Sequence, residues 1–227
     1  MHSPEESKCI GVKASQLRPH SKDKFIVGTD TGCLLQESKS RNTCFPKEYL
    51  CGRERIADSV SSIHFNPHNH LVFLAAYESG VIALFYSNQE SPLVTWKLTT
   101  AVQSVLWSNH RPSVFYALDA KSGLHVWDIL EQETVATYVM NLGDSHGPTG
   151  AKRRAVSIAQ SPAFTSDVSS SAIASNSSLA SSANRNASLA IAFSNGDVNV
   201  HFLNEELVEQ LVEEKEQFDY WIQTKTK

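Results

Sequence analysis

The sequence lacks the features that would indicate a nucleic-acid-binding, membrane or secreted protein. Its 20 Lys and Arg residues are outnumbered by 24 Asp and Glu, a net charge of -4, so no basic surface for nucleic acid is expected. The longest apolar runs, such as residues 71–77, are too short to cross a membrane. Residues 1–8 are polar and charged, which predicts a disordered N-terminus without a signal peptide.

Motifs for catalysis and for metal binding are also lacking. There is no phosphate-binding loop, nucleophile elbow or zinc-protease motif, so neither a catalytic residue nor a cofactor is expected. His64, His68 and His70 flank a turn, but no Cys or carboxylate stands at ligand spacing, which favours turn-exposed histidines over a metal site. Asp119 precedes a hairpin and is interpreted as a turn residue rather than a catalytic acid. The four cysteines form no CxxC pair and are expected to be reduced thiols in an intracellular protein.

What the chain does contain is an internal repeat. Residues 59–86 align with residues 101–128 at an offset of about 42, which rises to 43 at the turn where Gly80 falls on Gly123. A period of roughly 40 to 45 residues with several short strands is typical of a propeller blade. Two degenerate copies flank this pair. The four blades are predicted at residues 9–54, 56–98, 100–141 and 152–203.

A glycine stands just before the predicted third strand of every blade. Tight hairpins need a residue with positive φ, which glycine adopts freely. The four glycines are Gly32, Gly80, Gly123 and Gly196. The predicted fold class is therefore all-β: a partial WD40-type β-propeller of about four blades over residues 9–203, with a C-terminal α-helix.

One blade carries the Trp-Asp pair that marks the third strand of such repeats. Trp127 is expected to be buried between blades, with Asp128 at the margin of the strand, and Trp107 is expected in the first strand of the same blade. The residues equivalent to Trp127 are taken to be Leu84 and Val200 in two other blades. No blade has the Gly-His pair of standard repeats, so the usual hydrogen-bonded tetrad is not expected and stability must come from apolar stacking.

The last blade is interrupted by a serine-rich stretch over residues 160–188. Its composition cannot bury enough apolar surface to order itself, so a disordered loop is predicted between the first two strands of that blade. Two roles remain open for it, an inert insertion and a phosphorylatable regulatory loop.

Residues 204–224 have the pattern of an amphipathic helix. Leu207, Leu211, Phe218 and Ile222 share one face, and the acidic residues over 205–219 are interpreted as a solvated face. The helix either packs on the rim of the propeller or docks on a partner.

Particular stretches resemble the dynein intermediate chains. Residues 106–115, LWSNHRPSVF, followed by Gly123 and the pair Trp127-Asp128, are similar to a late propeller blade of that family. Residues 25–32, FIVGTDTG, look like the preceding blade in its cytoplasmic dynein 2 branch. The resemblance implies a non-catalytic WD-repeat subunit that binds a dynein heavy chain and supports retrograde intraflagellar transport and cilium assembly.

The same resemblance implies partners and a location. Other dynein intermediate and light chains would bind through an upstream region that this chain lacks, and the protein would act in the cytoplasm, at the ciliary base and in the cilium, on the cytoskeleton. Four blades are few for a ring of this type, so the chain is expected to be a fragment or a truncated form of a longer protein.

Other functions remain open. The chain could be a WD-repeat scaffold or adaptor unrelated to dynein, or an intermediate chain of dynein 1 or of an axonemal dynein. A propeller hydrolase is a third class, which the lack of a converging acid pair or metal cluster disfavours.

Overall fold

The computed structural model describes residues 10–40, 43–51, 58–143, 153–162 and 187–226. These residues form fifteen strands and two helices: β1 Val12–Leu17, β2 Lys24–Thr29, β3 Leu34–Ser38, β4 Glu48–Tyr49, β5 Val60–Phe65, β6 Val72–Tyr77, β7 Val81–Tyr86, β8 Val94–Lys97, β9 Val102–Trp107, β10 Val114–Asp119, β11 Gly123–Asp128, β12 Tyr138–Asn141, β13 Ala155–Gln160, β14 Ser188–Phe193, β15 Val198–Phe202, α1 Glu205–Val208 and α2 Glu214–Lys225.

The strands form four antiparallel sheets in chain order. Sheets 1, 2 and 3 each have four strands, β1–β4, β5–β8 and β9–β12, and sheet 4 has three, β13–β15. Every sheet is a meander in which each strand pairs with the next. The first strands of neighbouring sheets contact one another, β1 with β5, β5 with β9 and β9 with β13. The all-β, propeller-like fold class predicted from the repeat is confirmed.

Three apolar clusters lie between successive sheets. Alternate residues of one strand join different clusters: Phe73 packs towards sheet 1, whereas Val72 and Leu74 pack towards sheet 3. Because both faces of the strand are covered, β6 and β10 are buried at every position. The sequence of these strands is apolar at nearly every position, rather than alternating between apolar and polar residues, because each strand packs against a neighbouring sheet on both faces.

The hairpin turns before the third strands correct one predicted glycine. Gly32, Gly80 and Gly196 have φ of 82°, 91° and 92°, as the hairpins require. In sheet 3 the positive φ belongs to Ser122, at 68°, and not to Gly123. Strand register explains the error: Phe73 pairs with Phe85 as Phe115 pairs with Trp127, so the offset stays at 42 throughout and Ser122 is the equivalent of Gly80.

Gly123 is small for a different reason. It begins β11, and its amide donates a hydrogen bond to Asp119 Oδ1 at 2.7 Å. A Cβ atom at this position would lie 2.6 Å from Asp119 Oδ2. The glycine therefore permits a close approach of the carboxylate rather than a left-handed turn.

A C-terminal helix is present as predicted, but the predicted range 204–224 contains two helices rather than one. The chain forms two helices, α1 and α2, and Glu213 between them has φ of 62°, which breaks the helical path. Leu211 does not join the apolar face, because it lies in the connection and is 61% exposed. Phe218 and Ile222 do share a buried face of α2.

The predicted disordered segments fall mostly outside the described residues. These are residues 1–8 and, within the serine-rich stretch 160–188, residues 163–186. The flanks of the stretch are described: Ser161 N donates to Ser188 O at 2.9 Å, which joins the end of β13 to the start of β14.

Candidate functional site

Trp127 lies between sheets 2 and 3 and is 2% exposed. Its ring stacks on Phe115, with centroids 4.9 Å apart and planes at 5°, and Trp96 of β8 covers it from sheet 2 at 6.2 Å. Trp107 is fully buried and packs edge-on against Phe115 at 5.5 Å. Both tryptophans are thus core residues of one sheet interface.

The residues predicted to be equivalent to Trp127 are off by one position. Leu84 packs towards sheet 3, whereas Trp127 packs towards the sheet before its own. Phe85 occupies the tryptophan position of sheet 2, where it stacks on Phe73 at 5.2 Å and packs towards sheet 1. In sheet 4 the register assigns this position to His201 rather than Val200. This error has the same source as the error at Gly123: the sequence alignment raised the repeat offset to 43 at the turn, whereas in the structure it stays at 42.

Asp128 is the last residue of β11, so it lies at the margin of the strand as expected, but it is 6% exposed and belongs to a buried charge cluster. Arg111 Nη2 lies 2.6 Å from Asp128 Oδ2, and Arg111 Nε donates to both oxygens of Glu214, at 3.0 and 3.1 Å. Ser113 Oγ lies 2.6 Å from Glu214 Oε1 and 2.9 Å from Asp128 Oδ1. Although burial opposes its charge, hydrogen bonding to Glu214 and the charge of Asp128 raise the pKa of Arg111.

Glu214 therefore contradicts the interpretation of residues 205–219 as a solvated acidic face. It is 0% exposed and begins α2, and its Oε2 also accepts from Leu211 N at 3.0 Å. By strand register, Arg111 occupies the turn position that Asn69 has in sheet 2. Asn69 Nδ2 likewise donates to a carboxylate of α2, Asp219 Oδ1, at 2.8 Å.

α2 lies along the seam between sheets 2 and 3. Phe218 and Ile222 are in the apolar cluster that these sheets share, and Phe218 packs edge-on against Trp107 at 5.8 Å. At its C-terminal end, Trp221 Nε1 and Lys225 Nζ donate to the carboxylate of Glu133 at 3.1 and 2.7 Å. Of the two alternatives left open by the sequence, the described contacts place this helix on the sheets.

The carboxylate of Asp119, predicted only as a turn residue, is the centre of a polar network. Its carboxylate accepts from Lys121 N at 2.8 Å, Gly123 N at 2.7 Å and Thr100 Oγ1 at 2.9 Å, and pairs with His125 Nε2 at 3.0 Å. Burial alone would raise the pKa of Asp119, but the hydrogen bonds lower it. Sheet 3 thus combines apolar stacking with a buried hydrogen-bond network, so stacking is not its sole source of stability.

The histidines of the Asn66-Pro67 turn do not all project from it. His64 lies in β5, where its Nδ1 accepts from Trp107 N at 3.1 Å, and burial lowers its pKa to about 4. His68 is half-buried, and burial also lowers its pKa. Among the described residues no group of three or more His, Cys, Asp or Glu is placed to hold a metal ion.

Both ends of the sheet stack expose apolar residues. In sheet 4, Val198, Val200 and Phe202 alternate along β15 on one face and are 62%, 58% and 73% exposed. Their equivalents in sheet 3 include Leu124 and Val126, which are 6% and 7% exposed because sheet 4 covers them. Sheet 4 has no such cover among the described residues.

Sheet 1 shows the same condition at the other end. Phe25 is the equivalent of Phe73 and Phe115 by register, yet it is only half-buried, whereas they are fully buried. Neighbouring Leu17 is 50% exposed. These two surfaces, the outer faces of sheets 1 and 4, form the candidate partner interface. No helix in the described part of the chain is long and apolar enough to cross a membrane.

The architecture defines a β-propeller-like repeat protein, and comparison with solved structures agrees. The crystal structure of Raptor from Chaetomium thermophilum superposes with a TM-score of 0.58 at 15% identity, over 85% of this chain and 16% of that one. At this identity the likeness concerns the fold alone. No protein-family model matches the chain.

Sequence comparison adds a more particular relationship. The mouse cytoplasmic dynein 2 intermediate chain 1 is 33% identical over 119 residues, and the human protein of the same name is 31% identical over 119 residues. The Xenopus laevis dynein axonemal intermediate chain 2 is 24% identical over 136 residues. The chain is related to the dynein intermediate chains.

These alignments cover a limited share of each protein. They take in 51% of this chain against the mouse and human proteins and 60% against the frog protein. The chain spans 12% of the length of the mouse relative, 11% of the human one and 23% of the frog one.

Proposed function

We propose that this chain is the propeller portion of a cytoplasmic dynein 2 intermediate chain. It is a non-catalytic subunit that binds a dynein heavy chain and supports retrograde intraflagellar transport and cilium assembly. The observation that carries the proposal is the match to the dynein 2 intermediate chains of two mammals, at 33% and 31% identity, above the 24% found for the axonemal chain.

The architecture supports a binding role. Stacked sheets with buried interfaces form a rigid platform that presents loops and sheet faces without any chemistry of its own. The outer faces of sheets 1 and 4 expose apolar residues such as Phe25 and Phe202, and uncovered apolar surface of this kind is typical of contact sites. In an assembled motor these faces pack against further sheets or against partner subunits.

The test is to express the tagged chain in ciliated cells and to identify which dynein heavy chain copurifies. The proposal predicts the dynein 2 heavy chain, together with location in the cytoplasm, at the ciliary base and in the cilium. Recovery of an axonemal heavy chain would instead indicate an axonemal dynein intermediate chain, the class of the similar frog protein. Recovery of no heavy chain would favour an adaptor unrelated to dynein.

A further inference from the structure

A groove of about 700 Å³ runs beside the outer edge of sheet 3, between the β11–β12 connection and the α1–α2 segment. Its floor is apolar, formed by Val126, Leu130, Tyr138, Leu207 and Leu211. Two of these side chains stay in contact with solvent, since Tyr138 is 50% and Leu211 is 61% exposed. A pocket of this size accepts a few side chains of one partner segment rather than a whole domain.

The rim of the groove is acidic. Four exposed carboxylates line it, Glu131 from the β11–β12 connection and Glu205, Glu206 and Glu209 from α1 and its C-terminal cap. None of the four takes part in an ion pair between described residues. Arg111 also lines the groove, but its charge is committed to Asp128 and Glu214.

The negative charge of these carboxylates shifts the pKa of a tyrosine that also lines the groove. Tyr138 donates a hydrogen bond to Glu206 Oε2 at 3.3 Å. The negative charge of Glu206, with smaller effects from Glu131 and Asp128, raises the pKa of the Tyr138 hydroxyl. Negative charge is thus concentrated over an apolar floor, and the described residues that line the groove include no positive side chain free to balance it.

We propose that this groove, the acidic groove, binds an amphipathic helical segment of a partner protein that carries Lys or Arg beside its apolar face. Apolar side chains at i, i+3, i+4 and i+7 would cover the floor, and the flanking basic residues would meet carboxylates from both sides. The proposal rests on the proposed function only in requiring a protein partner. It adds the chemistry of that partner and the place where it binds.

The test uses two fluorescent 14-residue peptides with leucines at that spacing, one with lysines and one with glutamates at the remaining positions. Binding to the full chain is followed by fluorescence anisotropy at low and high salt. The groove variant combines Glu205→Gln, Glu206→Gln and Glu209→Gln. The matched control neutralises three exposed carboxylates outside the groove, Glu37→Gln, Glu90→Gln and Glu216→Gln.

The expected result is that the lysine peptide binds more tightly than the glutamate peptide and weakens with salt. The groove variant should bind it about tenfold more weakly, and the control should change less than twofold. Leu211→Ser, which alters no charge, should also weaken binding, by about threefold. Equal losses in the two triple variants, or equal affinity for the two peptides, would overturn the proposal.

The outcome separates this inference from the proposed function. If the groove variant binds the lysine peptide as tightly as the wild type does, while the wild-type chain still copurifies with a dynein heavy chain, the proposed binding site is wrong and the proposed function stands. If no heavy chain copurifies but the groove discriminates between the peptides as expected, the surface is real and belongs to another partner.

Discussion

Trp127 and Phe85 occupy the same position in consecutive sheets and make the same contact. Each stacks on an aromatic residue of the preceding strand, Phe115 or Phe73, and faces the sheet before its own. The indole nitrogen of Trp127 makes no hydrogen bond among the described residues. The side chain therefore contributes through packing, and the Trp-Asp pair marks a buried interface rather than a binding site.

Trp127→Ala should destabilise the chain by about 3–5 kcal/mol, because it leaves a large cavity between sheets 2 and 3. Trp127→Phe restores the residue type found in sheet 2 and should cost about 1–2 kcal/mol. Urea unfolding followed by circular dichroism measures both. A stable Trp127→Ala variant that no longer bound a dynein heavy chain would show that Trp127 is a partner contact instead.

His64 should make the fold sensitive to mild acid. Burial lowers its pKa from the usual value near 6.5 to about 4, so between these values the unfolded chain takes up a proton that the folded chain does not. Stability is therefore retained above pH 6.5 and lost as the pH falls towards 4, by about 2 kcal/mol at pH 5. His64→Gln should remove this part of the pH dependence. Identical slopes of unfolding free energy between pH 7 and pH 5 in both proteins would contradict the assignment.

At the scale of elements, α2 is tied to two sheets through one turn position. Asn69 in sheet 2 and Arg111 in sheet 3 each contact a carboxylate of the helix, Asp219 and Glu214. Phe218 then enters the cluster between those sheets. The helix thus closes a seam of the stack and leaves the acidic groove, formed partly by α1, beside it.

Glu214→Ala should cost about 3–5 kcal/mol, because it leaves Arg111 buried with one carboxylate instead of two. Glu216→Ala, two residues further along the same helix and exposed, should stay within about 0.5 kcal/mol of the wild type. Thermal and urea unfolding of the two variants provide the comparison. Equal stability would mean that the Arg111 cluster does not hold the helix.

The four sheets could be predicted from the repeat, because the pattern of strand, turn and strand recurs about every 42 residues. A glycine marks the positive φ of the turn in three of the four hairpins. Register was less accessible. Ser122 replaces the glycine of sheet 3, and Gly123 beside it drew the alignment off by one residue, which misplaced the equivalents of Trp127. The partners of Glu214 were also hidden, since Arg111 lies about a hundred residues away and only the fold brings them together. The break between α1 and α2 could not be predicted either, because the left-handed residue there is Glu213 rather than a glycine.

The described residues form an open stack of four sheets, because none of them covers the outer faces of sheets 1 and 4. Sheet interfaces inside the stack bury their apolar residues almost completely, whereas Val198, Val200 and Phe202 on the last sheet are more than half exposed. Monomeric proteins rarely leave contiguous apolar faces in water. We therefore predict that these end faces are contact surfaces and that the isolated chain covers them by association.

Sedimentation of the isolated chain over micromolar concentrations measures this association. The wild type should associate, and a double variant of the sheet 4 face, Val200→Thr with Phe202→Glu, should shift it towards monomer. Val135→Thr, which alters an apolar residue that is 51% exposed and lies away from both end faces, should leave association unchanged. A wild-type chain that sediments as a single monomer at all concentrations, and unfolds cooperatively, would contradict the open stack.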